Sequence, residues 1–195
     1  MNSKQKTRKL VIALAQRRQR PGSGSSLAAL RERTARARFP DHTPVLGPIP
    51  WAVAGAAATR LYMSERATHG LGIVVRAEEA EAVRRALSEA GFEYQSELTV
   101  GGSSWLSAEG APVDVVEMAE PWLAEALDEA EHNLDAQGLP VLPLRYLVLT
   151  KWRAGRVQDL ADVTRMLGQA SADLLASVRE LFGGCRPRTL RIWSI

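Results

Sequence analysis

Three short stretches of this chain hold side chains able to do chemistry. The first is Arg66-Ala67-Thr68-His69-Gly70-Leu71-Gly72-Ile73, a cation and a hydroxyl leading into an apolar run. The second is Val113-Asp114-Val115-Val116, a lone carboxylate between β-branched residues. The third runs from Lys151 through Arg153 and Arg156 to Asp159 and Asp162. Guanidinium and ammonium groups suit phosphate, and carboxylates suit a hard cation such as Mg²⁺. The three histidines, His42, His69 and His132, stand near no evident nucleophile, so acyl transfer by a Ser–His–Asp or Cys–His set is not signalled. No CxxC or Cys/His spacing points to zinc. The single cysteine, Cys185, excludes an internal disulfide and fits a reducing compartment.

Each stretch needs an element to hold it. Leu71–Val75 reads as a short buried strand, rich in β-branched residues. Before it, the Ala-rich segment Trp51–Met63 reads as a helix whose Gly55 and Ala56 present a thin face to a ligand or a neighbouring backbone. Pro112–Met118 reads as a second buried strand. On it, Asp114 is either a ligand or a polar residue on the solvent side, which period-2 alternation allows. Leu144–Ala154, Val157–Leu167 and Ser171–Phe182 read as helices separated by Gly155 and Gly168, with Gly183-Gly184 after the last. Lys151 on the first of these faces either phosphate or solvent, and Asp159 and Asp162 are expected in helix-surface or inter-helix ion pairs.

The remaining elements follow the same logic. Pro40–Pro50 reads as an extended connector. Ala77–Ala90 has Val83, Ala86, Leu87 and Ala90 on one face and stops at Gly91. Phe92–Val100 and Ser103–Leu106 form a hairpin through Gly101-Gly102. Pro121 opens a helix to about Ala130, Gly138–Pro143 is extended, and Thr189–Trp193 is a candidate final strand. Hairpin strands in the middle and helices at the end predict an α+β fold, a mixed sheet with flanking helices.

Composition limits the function classes. With 195 residues, 46% hydrophobic and 24% charged, the chain is long enough for a proper core and ordinary for a globular protein. No apolar run approaches the roughly 18 residues of a membrane span. The basic start resembles a targeting signal, but its apolar stretch, Leu10–Ala15, is shorter than the roughly 7–15 residues of a signal peptide, so a cytoplasmic location is expected. The net charge of +3 conceals a division: residues 1–38 hold eleven Lys or Arg against the single Glu32, leaving the rest at −7. Residues 1–20 and Leu27–Phe39 read as weakly amphipathic basic helices around a Pro21–Ser26 linker. This arm is either a solvated extension or a phosphate-contacting one that binds nucleic acid by counterion release. The expected divisions are a basic arm at 1–39, an α/β core at 40–120 and a helical part at 121–195.

The three stretches, in this order and spacing, resemble nucleotidyltransferases of the AbiEii toxin–antitoxin type and their minimal relatives. Ala54-Gly55-Ala56 stands at that family's Gly-Gly or Gly-Ser pair. Arg66 through Ile73 stands at its Arg-x-Thr-x-Asp-hydrophobic-Asp-hydrophobic motif, Asp114 at its third carboxylate, and Lys151 through Asp162 at its Lys-x-x-Ala-x-Arg-x-x-Asp-x-x-Asp helix. The resemblance covers about Ile49 to Leu167. It implies a nucleotidyltransferase-like fold, transfer of a nucleoside monophosphate from a nucleoside triphosphate to RNA or protein, Mg²⁺ as cofactor, and an antitoxin or a second copy of the chain as partner. It also implies Asp114 and Lys151 as catalytic residues, Asp114 as a metal ligand, and Gly55, Ala56, Arg66 and Thr68 as substrate-binding residues. Gly70 and Gly72 occupy the two aspartate positions. Glycine offers a metal no side-chain oxygen, so the expectation is a protein of this fold whose metal-dependent transfer is weakened or lost.

Overall fold

The computed structural model describes residues 39–63 and 70–184. Arg66 and Thr68, with Glu65 and His69, the two amino-terminal helices and the strand expected at Thr189–Trp193 lie outside the described residues. The elements in order are α1 (Thr43–Leu46), β1 (Ala52–Ala54), α2 (Gly55–Ala58), β2 (Leu71–Arg76), α3 (Ala80–Glu89), β3 (Glu93–Glu97), β4 (Gly102–Leu106), β5 (Pro112–Met118), α4 (Leu123–Ala130), α5 (Leu144–Ala154), α6 (Val157–Gln169) and α7 (Ala172–Gly184). This is an α+β chain, as its sequence predicts.

The strands form one sheet in the order β1-β2-β5-β4-β3. Among the described strands only the β2–β5 pair is parallel, which places two apolar strands in the sheet interior. Leu71, Ile73 and Val75 with Val113 and Val115 are almost fully buried. Each such side chain contributes about 1.5–3 kcal/mol through removal from water. They share a face with Glu117, where Arg84 of α3 reaches across to hold that carboxylate at 3.0 Å. Gly72, Val74, Asp114, Val116 and Met118 point the other way, because side chains alternate along a strand and in-register parallel partners share a face.

Two elements differ from expectation. Trp51–Met63 is not one helix: Ala52–Ala54 pairs antiparallel with β2, α2 is a single turn, and Thr59–Leu61 is a 3-10 turn. Alanine favours helix by well under 1 kcal/mol per residue, and burying Ala52, Val53 and Ala54 in the sheet outweighs that preference. Val53 is also held on its outer side, its N–H donating to the Pro140 carbonyl at 2.7 Å and its carbonyl accepting from Leu142 at 3.0 Å. Gly55, at φ +63°, makes the turn from strand to helix that most residues would resist. The Pro40–Pro50 connector is also not wholly extended. Asp41 accepts the Thr43 N–H at 2.9 Å and Pro44 sits in the first turn of α1, an ordinary helix start.

The hairpin forms where Gly101-Gly102 predicts it, and Gly102 is required there. Its φ is +113°, and a Cβ at this position would stand 2.0 Å from the Val115 carbonyl oxygen. Trp122 stacks on the buried Tyr146, with ring centroids 5.1 Å apart, and Arg145 lies over the same ring. That contact ties the segment opening α4 to α5.

Candidate functional site

The sheet face opposite α3 carries the positions singled out in the sequence. Register places Ala54, Gly72, Asp114, Ser104 and Ser96 in one row across all five strands. A row of neighbouring strands, spaced about 4.8 Å apart, could present several carboxylates to one ion. Here it presents one. Asp114 is exposed, and its Oδ1 accepts the Ser104 hydroxyl at 2.8 Å. Gly70 lies just before β2 beside Pro112. A Cβ built there would meet that proline at 3.5 Å, and one at Gly72 would meet the Ala54 carbonyl oxygen at 3.4 Å. Neither glycine has a positive φ, so neither is demanded by the backbone as Gly102 is.

Two Mg²⁺ ions of a nucleotidyltransferase do not fit this donor set. Paired ions about 4 Å apart need several anionic oxygens. Among the described residues no group of three His, Cys, Asp or Glu side chains could hold a metal ion. Glu117 cannot join Asp114, since it projects from the other face and is bound by Arg84.

On the same face, one pleat along the strands from that row, the sheet and helices α5 and α6 enclose a cleft of about 380 Å³. Val74, Val116 and Met118 form its sheet wall and Leu142 adds to it, while Gly55 marks one end. Thr150, Lys151 and Arg153 from α5, Arg156 just before α6 and Asp159 on α6 form the opposite wall. Of the other residues implicated by sequence, Gly55 reaches the cleft. Ala56 does not line it, and its carbonyl accepts the Thr59 hydroxyl at 2.7 Å. Asp114 does not line the cleft, although Ala54 of its row does.

Lys151 is not the solvent-facing lysine that was one expectation, because it is only 5% exposed. Its Nζ donates to Asp162 Oδ2 at 2.8 Å and to Asp159 Oδ1 at 3.3 Å. Asp159 is in turn gripped by Arg156, through Nε at 2.6 Å, and Asp162 accepts from Gln158 at 3.1 Å. Burial pushes the Asp159 carboxyl up, but the Arg156 hydrogen bond and the Lys151 charge outweigh it and hold the group below the usual carboxylate range. The inter-helix ion pairs expected of Asp159 and Asp162 therefore form. They join α5 to α6 across Gly155, whose left-handed backbone makes the turn between the helices.

One further contact was not legible in the sequence. Glu120, just after β5, and Arg153 on α5 line the cleft from opposite walls and meet at 2.6 Å. They are 33 positions apart with no shared periodicity, and only the folded chain unites them.

Neither a described protein family nor a curated protein sequence matches the chain. Solved structures show partial likeness. The antibiotic-resistance factor ANT(2'')-Ia is 12% identical over 80% of this chain and 87% of its own, with a TM-score of 0.48. A Thermotoga maritima protein provisionally classed as a nucleotidyltransferase is 17% identical over 72% and 96%, with a TM-score of 0.43. The Cid1 poly(U) polymerase is 19% identical over 55% and 34%, with a TM-score of 0.26. Among the described residues, no helix is long and apolar enough to cross a membrane.

Proposed function

We propose that this chain is a nucleotidyltransferase-fold protein of the toxin–antitoxin branch that has given up metal-dependent nucleotidyl transfer and keeps its cleft for binding nucleotide or RNA. In this reading residues 40–120 are the core, residues 121–195 are the helical part, whose α5 and α6 wall the cleft, and residues 1–39 are a basic extension. The observation that carries it is the row Ala54–Gly72–Asp114–Ser104, where a catalytic carboxylate would stand and glycine stands instead. The neighbouring frame supports the same reading, since Lys151, Arg156, Asp159 and Asp162 remain in mutual contact.

The experiment has two arms. Incubating the chain with each labelled nucleoside triphosphate, Mg²⁺ or Mn²⁺ and total tRNA is expected to transfer no label; robust transfer to RNA or to the protein would overturn the reading. The Gly70→Asp/Gly72→Asp double variant is expected to be less stable without metal, since it gathers like charges, and to gain thermal stability on adding Mn²⁺ or Mg²⁺. The unaltered chain is expected to show no such gain.

A further inference from the structure

The cleft has an unusual charge balance for a fold that handles triphosphates. Among the described residues three cations line it, Lys151, Arg153 and Arg156, and each is already held by a carboxylate. Lys151 has Asp162 and Asp159, Arg156 has Asp159, and Arg153 has Glu120. Three positive charges meet three negative ones at 2.6–3.3 Å, so these ion pairs are together electrically neutral. The floor of the cleft is apolar, built from Val74, Val116, Met118 and Leu142.

A triphosphate entering such a cleft needs either metal ions to carry its charge or cations free to receive it. The row at Gly72 lacks the carboxylates for the first, and the ion pairs occupy the cations for the second. Lys151 is the least able to turn, because freeing it would take the cation from the buried Asp162 and one of two cations from the buried Asp159, at a cost of several kcal/mol. Arg153 is the most able: its side chain is 41% exposed and Glu120 is 30% exposed, so that pair is partly screened and worth little. Among the described residues the cleft can therefore supply one guanidinium, that of Arg153, to a ligand without disturbing its buried network.

Resting on the reading of a retained cleft without a metal pair, we propose that it takes a nucleoside or nucleoside monophosphate rather than a metal-bound triphosphate. The ring system lies on the apolar sheet wall, and the single phosphate displaces Glu120 from Arg153. Triphosphate is disfavoured because its remaining charge meets Glu120 and Asp159 with no ion between them.

The test is a thermal-shift and equilibrium-dialysis series on the full chain, using the common ribonucleosides, their 5′-monophosphates and their triphosphates, each with and without Mg²⁺. For the preferred base, the nucleoside and monophosphate are expected to bind at least as tightly as the triphosphate, and Mg²⁺ is expected to change nothing. Tighter binding of triphosphate, tightened again by Mg²⁺, would overturn the proposal; so would the absence of binding by every nucleoside and monophosphate. Glu120→Gln, which keeps shape and frees Arg153, is expected to raise triphosphate affinity more than monophosphate affinity. The gain should be about threefold, the scale of one partly exposed charge, with nucleoside affinity unmoved. An unchanged ratio of triphosphate to monophosphate affinity in that variant would also count against it. These outcomes are separate from the labelling result: label transfer sinks the proposed loss of catalysis, whereas a triphosphate preference without transfer sinks only the ligand class.

Discussion

The two polar regions of this molecule have been kept in opposite ways. On α5 and α6, Lys151, Arg156, Asp159, Asp162 and Gln158 satisfy one another within 3.3 Å, with Lys151 and both aspartates buried. On the sheet, the row through Gly72 and Asp114 holds a single exposed carboxylate bonded to a serine. The difference is physical. A buried ion network cannot lose a member without leaving an uncompensated charge, whereas an exposed carboxylate on a sheet face can become glycine at little cost to folding. Chemistry on the sheet is separable from stability, and the network between the helices is not.

The largest effect should come from breaking the network. Asp162→Asn is expected to destabilise the fold by about 3 kcal/mol, and Asp114→Asn by less than about 1 kcal/mol, both read by urea denaturation. Equal losses would erase the distinction between the regions. Next comes a contrast between glycines. Gly102→Ala forces a Cβ to 2.0 Å from a carbonyl oxygen at φ +113° and should cost about 2–3 kcal/mol. Gly72→Ala meets only an ordinary contact at 3.4 Å and should cost under about 1 kcal/mol. A costly Gly72→Ala would mean that packing against the Ala54 carbonyl keeps glycine there and would weaken the proposed reading of this row.

The smallest effect is in pH. His42 is buried between the rings of Trp51 and Phe92, with neither ring nitrogen hydrogen-bonded. Burial lowers its pKa more than the neighbouring Asp41 charge raises it. The folded state thus resists the proton that the unfolded chain accepts, so stability is full above the ordinary value of 6.5 and falls as pH drops below it. Asp159 acts in a lower window. Its carboxyl is depressed, so its contribution holds above the usual carboxylate range and is lost as pH falls through the folded value. Melting curves of His42→Phe should lose the first slope and keep the second, and Asp159→Asn should do the reverse.

Much of the site was legible because strands declare themselves by composition. Val113-Asp114-Val115-Val116 and Leu71–Val75 are apolar runs whose alternation fixes which residues share a face. The Lys151–Asp162 spacing was visible as well, but its burial was not, because a lysine on a helix reads alike whether it meets water or two aspartates. Trp51–Met63 misled for a related reason: alanine records a local helical preference and says nothing of a strand partner.

By itself, the sequence determined the α+β class, the central strands, the hairpin at Gly101-Gly102 and the presence of glycine at two positions where the resembling family has aspartate. Only the tertiary structure decided that Gly72 and Asp114 stand side by side on the face next to the cleft. It also decided that Ala52–Ala54 is a strand, and that Glu120 meets Arg153 across that cleft. Local propensities are written residue by residue, but register and ion pairing arise between segments whose separation in sequence carries no trace of their contact.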